Sequence, residues 1–525
     1  MMTLFAGALM KHLVQATAAL ALAMASYAHA SPNEAGAAPA DEQAGFLADA
    51  RAFDDARAKG DCVAGLPAAK GLAARQRFGE LPNDLRLEVW VFAAECAVAQ
   101  NDDAEAFADA SQAAKLPGAD ERVWTVRVWA STFIDRPDEA SDAIEAAAAT
   151  RPAALSAIPV SVFFRFEHAQ IVAGRRDVAR RIFAALEKAD YKSPSPAEAA
   201  DGLWFADATL AADAGETAHA ARLMRRVNDT YFLIRAKLDE RFATAVAADP
   251  ARFDLKAAAE RDLDRDRAIM AAHPELLQAI NETLADLRAL GRLDEALALA
   301  QSTLDRAANS AKGEPAFSDQ DDKLNWTHDA KAYVLLELGR YDEAVDVERG
   351  ASHMAEDGNP TNVSQTINLA GFLNAAGRPE EVLKVLQPLD QSQKSSPYGF
   401  AWVHTESACA YERLGRGEAL KGELAYLAAH QADNPDARLK ALLCANDLDG
   451  AAALLIGQLK DPDDRGTALV NLSQFEAPAH PTPFDATLAA RLALVRVRPD
   501  VEAAIGKVGH VESIPLNVDV FSDMF

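Results

Sequence analysis

The stretch Leu290–Ala296, LGRLDEA, decides the fold, because it returns at Leu338–Ala344 as LGRYDEA. In both copies a Gly-Arg pair interrupts two helix-forming segments. Glycine adopts the left-handed conformation that ends a helix, and acidic residues just after it suit the N-terminal dipole of the next helix. The alanine that closes the phrase lets the two helices pack closely. The phrase therefore predicts an antiparallel helical hairpin.

Looser copies of this phrase occur along the chain. They are Asn101–Ala106, Asp135–Ala140, Ala173–Asp177, Ala214–Glu216, Ala376–Val382, Leu414–Ala419 and Asn446–Asp449. One hairpin cannot bury its own apolar stripe, so successive copies must stack. The sequence is rich in alanine, and alternating runs of β-branched residues are rare. Both features predict an all-α protein.

The repeats resemble the tetratricopeptide repeat, a unit of about 34 residues built from two paired helices. Trp90 and Trp124 are 34 residues apart, as are Ala106 and Ala140. Trp124, Ala140 and Pro152 match the aromatic, small and terminal proline positions of that family. The resemblance implies a right-handed α-solenoid of about ten stacked helical hairpins with a C-terminal capping helix.

The first thirty residues have the pattern of a secretory signal peptide. An apolar stretch from Leu13 to Ala28 follows Lys11, and Ala28-His29-Ala30 supplies the small residues of a cleavage site. The stretch is shorter than the ~20 residues of a spanning helix, and an uncleaved anchor is the alternative. A start at Met10 rather than Met1 would give a more ordinary signal. We expect a periplasmic or secreted mature chain with no membrane span.

Composition predicts the remaining boundaries. Residues 31–45 are small and polar and are interpreted as a flexible linker, and residues 46–475 as the solenoid. Three prolines between 478 and 483 break the repeat array. Residues 476–525 are therefore interpreted as a C-terminal cap and tail, in which residues 485–507 form one or two closing helices.

The four cysteines fall into two pairs with one-repeat spacing. Cys62 and Cys96 are 34 residues apart, and Cys409 and Cys444 are 35 apart. In the repeat frame each pair lies on neighbouring hairpins at similar heights. An even number of cysteines in an exported chain favours disulfides, so we predict Cys62–Cys96 and Cys409–Cys444. Four buried free thiols are the alternative.

Motifs that carry chemistry are missing from the sequence. It has no metalloprotease, nucleophile-elbow, P-loop or dinucleotide-binding signature. The series Asp262-x-Asp264-x-Asp266 imitates a calcium loop but lacks its glycine, and a solvated charged helix is the favoured interpretation. His404, Glu406 and Cys409 are close in sequence without the spacing of a nucleophilic site. We therefore predict no catalytic residues, no metal and no cofactor.

The family resemblance also implies a ligand groove lined by the first helix of each hairpin. It places Trp326, Tyr333, Asn374, Trp402 and Arg413 on that face. Aromatic and arginine side chains are typical interface anchors. Packing of Trp326 and Trp402 between hairpins is the alternative.

Family members that hold a chaperone's C-terminal carboxylate carry Lys, Asn and Arg in this groove. Only Asn368 matches that set, whereas Asp329, Tyr333 and Glu406 replace residues of it. The formal net charge of −26 at pH 7 further disfavours nucleic acid and anionic membranes.

These features favour a non-catalytic protein-interaction scaffold that binds a protein or peptide segment in the solenoid groove. An enzyme with an unrecognised active site and a glycan-binding module with an aromatic groove are the alternatives.

Overall fold

A computed structural model describes residues 40–310, 315–356, 362–389 and 395–517 of the chain. The predicted signal peptide, residues 1–30, lies outside the described residues. The chain forms two compact units, one ending at Leu203 and the other beginning at Trp204, here called unit 1 and unit 2. Helices dominate the described residues of both units, which confirms the all-α prediction.

Unit 1 is a series of helical hairpins. Its α-helices are α1 (Ala40–Lys59), α2 (Cys62–Ala73), α3 (Asn83–Ala99), α4 (Asp103–Ala113), α5 (Glu121–Ser131), α6 (Pro137–Thr150), α7 (Val160–Val172) and α8 (Arg176–Lys188). Short 3-10 helices lie at Gln76–Glu80 and Pro152–Ala157. Each helix packs against the next, and the first hairpins share a core in which Phe53 and Phe92 meet edge to face at 5.5 Å.

Unit 2 begins within α9 (Asp201–Asp213) and continues the hairpins. Its other α-helices are α10 (Thr217–Met224), α11 (Thr230–Leu238), α12 (Ala243–Ala248), α13 (Leu255–Ala272), α14 (Leu277–Ala289), α15 (Leu293–Ala308), α16 (Gln320–Glu337), α17 (Tyr341–Ala351), α18 (Ser364–Ala375), α19 (Pro379–Leu386), α20 (Pro397–Arg413), α21 (Gly417–Ala429), α22 (Pro435–Cys444), α23 (Leu448–Lys460), α24 (Arg465–Leu472), α25 (Pro483–Arg496) and α26 (Pro499–Ile505). A 3-10 helix at Glu240–Phe242 and two short strands, β1 (Gln474–Phe475) and β2 (Ser513–Ile514), complete it.

The turn phrase acts as the sequence predicts. Gly291 and Gly339 have φ of 68° and 75°, the left-handed region in which a side chain would be strained. At the end of α14 the amide of Gly291 donates to the Arg288 carbonyl at 2.8 Å, and the end of α16 repeats this pattern. The arginine that follows each glycine pairs with the glutamate three residues on, as Arg292 does with Glu295.

The two cysteine pairs are joined as the spacing predicts. Cys62, at the start of α2, is bonded to Cys96 in α3, with a Cα–Cα distance of 4.9 Å. Cys409 in α20 is bonded to Cys444 at the end of α22, with a Cα–Cα distance of 5.1 Å. Each disulfide therefore ties neighbouring hairpins within one unit.

The ends of the described chain refine the predicted boundaries. Helix α1 begins at Ala40, inside the segment 31–45 that the sequence assigns to a linker. Helices α25 and α26 occupy the predicted closing segment and pack against α23, so they cap the last hairpin. None of the described helices carries an apolar segment long enough to cross a membrane.

Candidate binding site in the second unit

A cavity of about 1090 Å³ lies within unit 2. Its lining comes from the first helices of successive hairpins, α14, α16, α18, α20 and α22, together with α11, α13 and α24. The second helices α15, α17, α19 and α21 contribute nothing to it. The first helices therefore form one face of the cavity, as the family resemblance implies.

The C-terminal segment forms the other side of the cavity. Helix α11, near the start of unit 2, packs against α24, near its end. Strand β2 pairs in parallel with β1, the amide of His510 donates to the Leu238 carbonyl at 3.0 Å, and the amide of Asn517 donates to the Ala289 carbonyl at 2.8 Å. The family resemblance implies a continuous groove along the first helices, and in unit 2 these backbone bonds place the C-terminal segment along its other side.

Carboxyl groups converge on the wall formed by α13 and α14. Both oxygens of Asp262 are bonded, one by the amide and hydroxyl of Thr230 at 2.7 and 2.6 Å, the other by Arg265 at 2.5 Å. Arg265 also donates to Asp266 at 2.9 Å. We call Asp262, Asp266, Glu282 and Asp286 the acidic cluster; Arg265 is the cation that contacts it at ion-pair distance among the described residues.

Asp286, like Glu282, has no cation at ion-pair distance among the described residues. It contacts Asp266 carboxyl to carboxyl, and no donor from the described part of the chain reaches its Oδ2. Burial, and then repulsion by Asp266 and Asp262, raises the pKa of Asp286 to about 9. Burial raises the pKa of Glu282 as well. Asp286 therefore holds its proton at neutral pH.

A second pair of carboxyl groups lies on the neighbouring hairpin. Asp329 of α16 lines the cavity and is 8% exposed, and its Oδ1 accepts a hydrogen bond from Asn368 at 2.9 Å. Behind it, Glu348 of α17 is fully buried and adjacent to Asp329. Burial and the adjacent Asp329 raise the pKa of Glu348 well above its usual range.

Glu406 is the buried carboxylate of this wall that has a cation. Its Oε1 accepts from Lys440 at 2.7 Å and its Oε2 from Asn374 at 2.8 Å. Arg413 donates to the Asn374 carbonyl at 2.5 Å. Asn374 and Arg413, predicted as groove residues, do not line the cavity. Asn374 donates to Glu406, and Arg413 donates to the backbone at the end of α18.

Aromatic side chains cover much of the remaining wall. They are Tyr231, Phe232, Trp326, Tyr333, Phe372, Tyr398, Trp402, Phe475 and Phe484. Trp326 is 37% exposed, whereas Trp402 is 8% exposed and belongs to the hydrophobic core of unit 2. Trp402 therefore lines the cavity and also packs in the core of unit 2. Trp326, Tyr333 and Trp402 line the cavity as predicted positions of the groove.

No family model matches the chain, and no curated protein matches its sequence. Similar solved structures include the APC/C heterotetramer Cut9–Hcn1, at 11% identity over 93% of this chain and 94% of that chain, with a TM-score of 0.29. Another is the TPR domain of P58(IPK), at 14% identity over 79% and 99%, with a TM-score of 0.20. These scores are too low to carry an argument, so the tetratricopeptide-like fold rests on the helices and turns described above.

Sequence reasoning missed the acidic cluster. The favoured interpretation of Asp262-x-Asp264-x-Asp266, a solvated helix, is right about the helix and wrong about solvation, because Asp262 and Asp266 are buried and Asp264 alone is exposed. Their spacing of four residues puts both on one face of α13, and this spacing was the available signal. Glu282 and Asp286 repeat it on α14.

The other pattern considered for chemistry is also resolved. His404 bonds Glu423 at 2.5 Å, Glu406 bonds Lys440 and Asn374, and Cys409 is in a disulfide. The three residues therefore point to different partners and do not assemble a nucleophile with a base.

Proposed function

We propose that this chain is a non-catalytic scaffold that binds a short segment of another protein in the unit 2 cavity, in the periplasm or outside the cell. The observation that carries the proposal is the wall of aromatic side chains presented by the first helices of consecutive hairpins. A cavity of about 1090 Å³ is near the upper end of the volumes that enclose a compact ligand. A few residues of a peptide suit it better than a long extended chain.

Two further features support an extracytoplasmic site of action. The sequence begins with a signal-like stretch, and the described cysteines are all in disulfides. Disulfides persist in oxidising compartments and are rare in the cytosol. Sequencing the N-terminus of the protein from the extracytoplasmic fraction tests this part: we expect Ser31, and unprocessed chain in the cytoplasm contradicts it.

Trp326 offers the clean test of binding. Its side chain is partly exposed on the cavity wall, so Trp326→Ala removes an anchor without emptying the core. Peptides selected by the mature chain from a random display library would be synthesised and their Kd measured by fluorescence anisotropy. We expect Trp326→Ala to weaken binding by about tenfold or more at an unchanged melting temperature.

Phe164→Ala is the matched control, because Phe164 is a 45% exposed aromatic residue of unit 1. It should change neither binding nor melting. If no peptide is selected, or if selected peptides bind Trp326→Ala as tightly as the unmodified chain, the proposal is wrong. Selective binding of an oligosaccharide in the same cavity would favour the glycan-binding alternative.

Trp402→Ala is a less clean test. Trp402 belongs to the core as well as the wall, so its truncation leaves a cavity that costs about 3–5 kcal/mol. We still predict that Trp402→Ala and Arg413→Ala weaken binding. The binding measurement is informative only at temperatures below the lowered melting transition of the variant.

A further inference from the structure

We infer that the segment bound in the unit 2 cavity carries a Lys or Arg side chain flanked by apolar residues, with its positive charge at the acidic cluster. This inference rests on the proposed function and names the chemistry of the partner. It is argued from the charge balance of the wall, from the partners of the two lining bases, and from Asp286, whose Oδ2 no donor from the described residues reaches.

The wall of the cavity has a large excess of acid. Eight acidic and two basic residues line it. Both bases already have carboxylate partners: Arg288 donates to Glu337 at 2.6 Å, and Lys440 to Glu406 at 2.7 Å. Neither is therefore available to the acidic cluster, and the cavity suits a cationic ligand.

Within the acidic cluster, Asp286 lacks a positively charged partner among the described residues. Arg265 bonds Asp262 and Asp266, while Asp286 has only a carboxyl neighbour and an Oδ2 that no donor from the described residues reaches. A buried polar atom of this kind costs free energy until it is paired. An ammonium or guanidinium group would supply the donor and the charge together.

The aromatic wall explains why the cation would be part of an amphipathic segment. Rings on this wall already carry cations, since Arg288 lies 4.7 Å above Tyr333 and Lys440 lies 5.7 Å from the ring of Trp402. Trp326, on the helix next to Asp286, is 37% exposed on this wall, so a ligand can contact its ring. Apolar residues beside the ligand's charge would pack there.

The charge balance also argues against other occupants. An acidic segment or a free C-terminal carboxylate would be buried among carboxylates. The chain's own last residues, 518–525, contain Asp519 and Asp523 and no base, so their charge has the wrong sign.

The test uses the full mature chain and blocked peptides of one length, with leucine and tyrosine around variable positions filled by Lys, Gln or Glu. Affinities are measured by fluorescence anisotropy. We expect the Lys peptide to bind about tenfold tighter than the Gln peptide and to weaken with added salt, and the Glu peptide not to bind. Equal binding by the three overturns this inference and leaves the proposed function standing. Binding by none overturns both.

Asp286→Asn tests whether the positive charge of the peptide binds at Asp286. It keeps the shape of the side chain and should remove about tenfold of affinity for the Lys peptide while leaving the Gln peptide unchanged. Asp294→Asn is the control, since Asp294 is an exposed acid on α15 outside the cavity. A Lys preference that survives Asp286→Asn overturns the assignment. If that variant does not fold, the inference is still decided on the unmodified chain by the relative affinities of the three peptides and by the effect of salt on them.

The pH dependence of binding is a further test, because an Asp286 with only a structural role would not change it. Binding of a cation ionises Asp286, so affinity for the Lys peptide should rise from pH 6 towards pH 9, and the Asn variant should lose this slope. The charged groups that bear on Asp286 and its neighbour Glu282 are Asp262, Asp266 and Arg265 of α13 and Lys323 of α16. A slope retained in the variant would contradict the inference.

Discussion

Units 1 and 2 are built from the same kind of hairpin but treat their buried acids differently. In unit 1, Glu95 is 3% exposed and receives two donors from Arg122, and Asp109 is 1% exposed and bonds Lys70 at 2.6 Å. In unit 2, Asp286 has another carboxyl as its neighbour. Paired acids join successive repeats, as Glu406 and Lys440 also do in unit 2, whereas an acid without a cation carries a cost that a ligand can relieve. This difference is the reason for placing the proposed binding site in unit 2.

The largest expected effect tests the buried ion pair of unit 2. Lys440→Met leaves Glu406 buried without its cation, and the side chains of this pair are 9% and 3% exposed. We expect a loss of about 3–5 kcal/mol in the free energy of unfolding, measured by urea denaturation. Lys421→Met is the control, because the side chains of its pair with Glu418 are 73% and 90% exposed, and it should change stability by less than about 0.5 kcal/mol.

The corresponding change in unit 1 sharpens this comparison. Lys70 pairs with Asp109 but is 37% exposed, so Lys70→Met should cost less than Lys440→Met. An equal or larger loss in unit 1 would mean that exposure does not explain how the two units hold their charges.

The disulfides should contribute equally to the two units. Their sequence separations are 34 and 35 residues, and the stabilisation expected from loop length is similar for both. Replacing either pair by serine should lower the free energy of unfolding by about 2–4 kcal/mol, and reduction with dithiothreitol should reproduce the loss. A loss confined to one pair would show that the fold of the other unit does not depend on its cross-link.

The smallest and most specific effect is the pH dependence of stability. The pKa of Asp286 is raised to about 9 in the folded chain and is about 4 when unfolded. Between these values the folded state keeps a proton that the unfolded state loses, so Asp286 makes stability fall as pH rises. Asp286→Asn should flatten this fall and be more stable than the unmodified chain at pH 8.

Asp109→Asn in unit 1 should do the opposite. It removes the negative charge that pairs with Lys70 and should destabilise the chain by about 1–3 kcal/mol. Urea unfolding at a series of pH values from 5 to 9 measures both variants. If Asp286→Asn destabilises at pH 8 as Asp109→Asn does, the distinction between the units is wrong.

Local chemistry made the hairpins predictable. The left-handed turn at Gly291 depends on one residue type, and the buried Ala296 that follows depends on its small volume, so both are visible in the sequence. The one-repeat separation of the cysteines made their pairing predictable for the same reason. Of the predicted groove residues, Trp326, Tyr333 and Trp402 line the cavity, because a repeat frame fixes which face of a first helix a residue occupies.

Asn374 and Arg413 show where that reasoning stops. A repeat frame gives a face but not the depth of a side chain, and depth depends on which neighbouring residue fills the space. Asn374 is fully buried against Glu406, and Arg413 reaches back to the Asn374 carbonyl. Each of these contacts joins residues more than thirty positions apart in the sequence, so a repeat frame does not predict it.

The sequence by itself determined the helices, the turns that end them, the pairing of the cysteines and the excess of negative charge, because each depends on residue type and short-range spacing. Only the tertiary structure decided that the C-terminal segment forms the other side of the unit 2 groove and that the acids of the groove converge. The position of that segment depends on backbone bonds such as that between Asn517 and Ala289, which carry no side-chain signature. Convergence of Asp262 and Asp286 depends on how α13 packs against α14, and the energy of that contact is shared by many side chains.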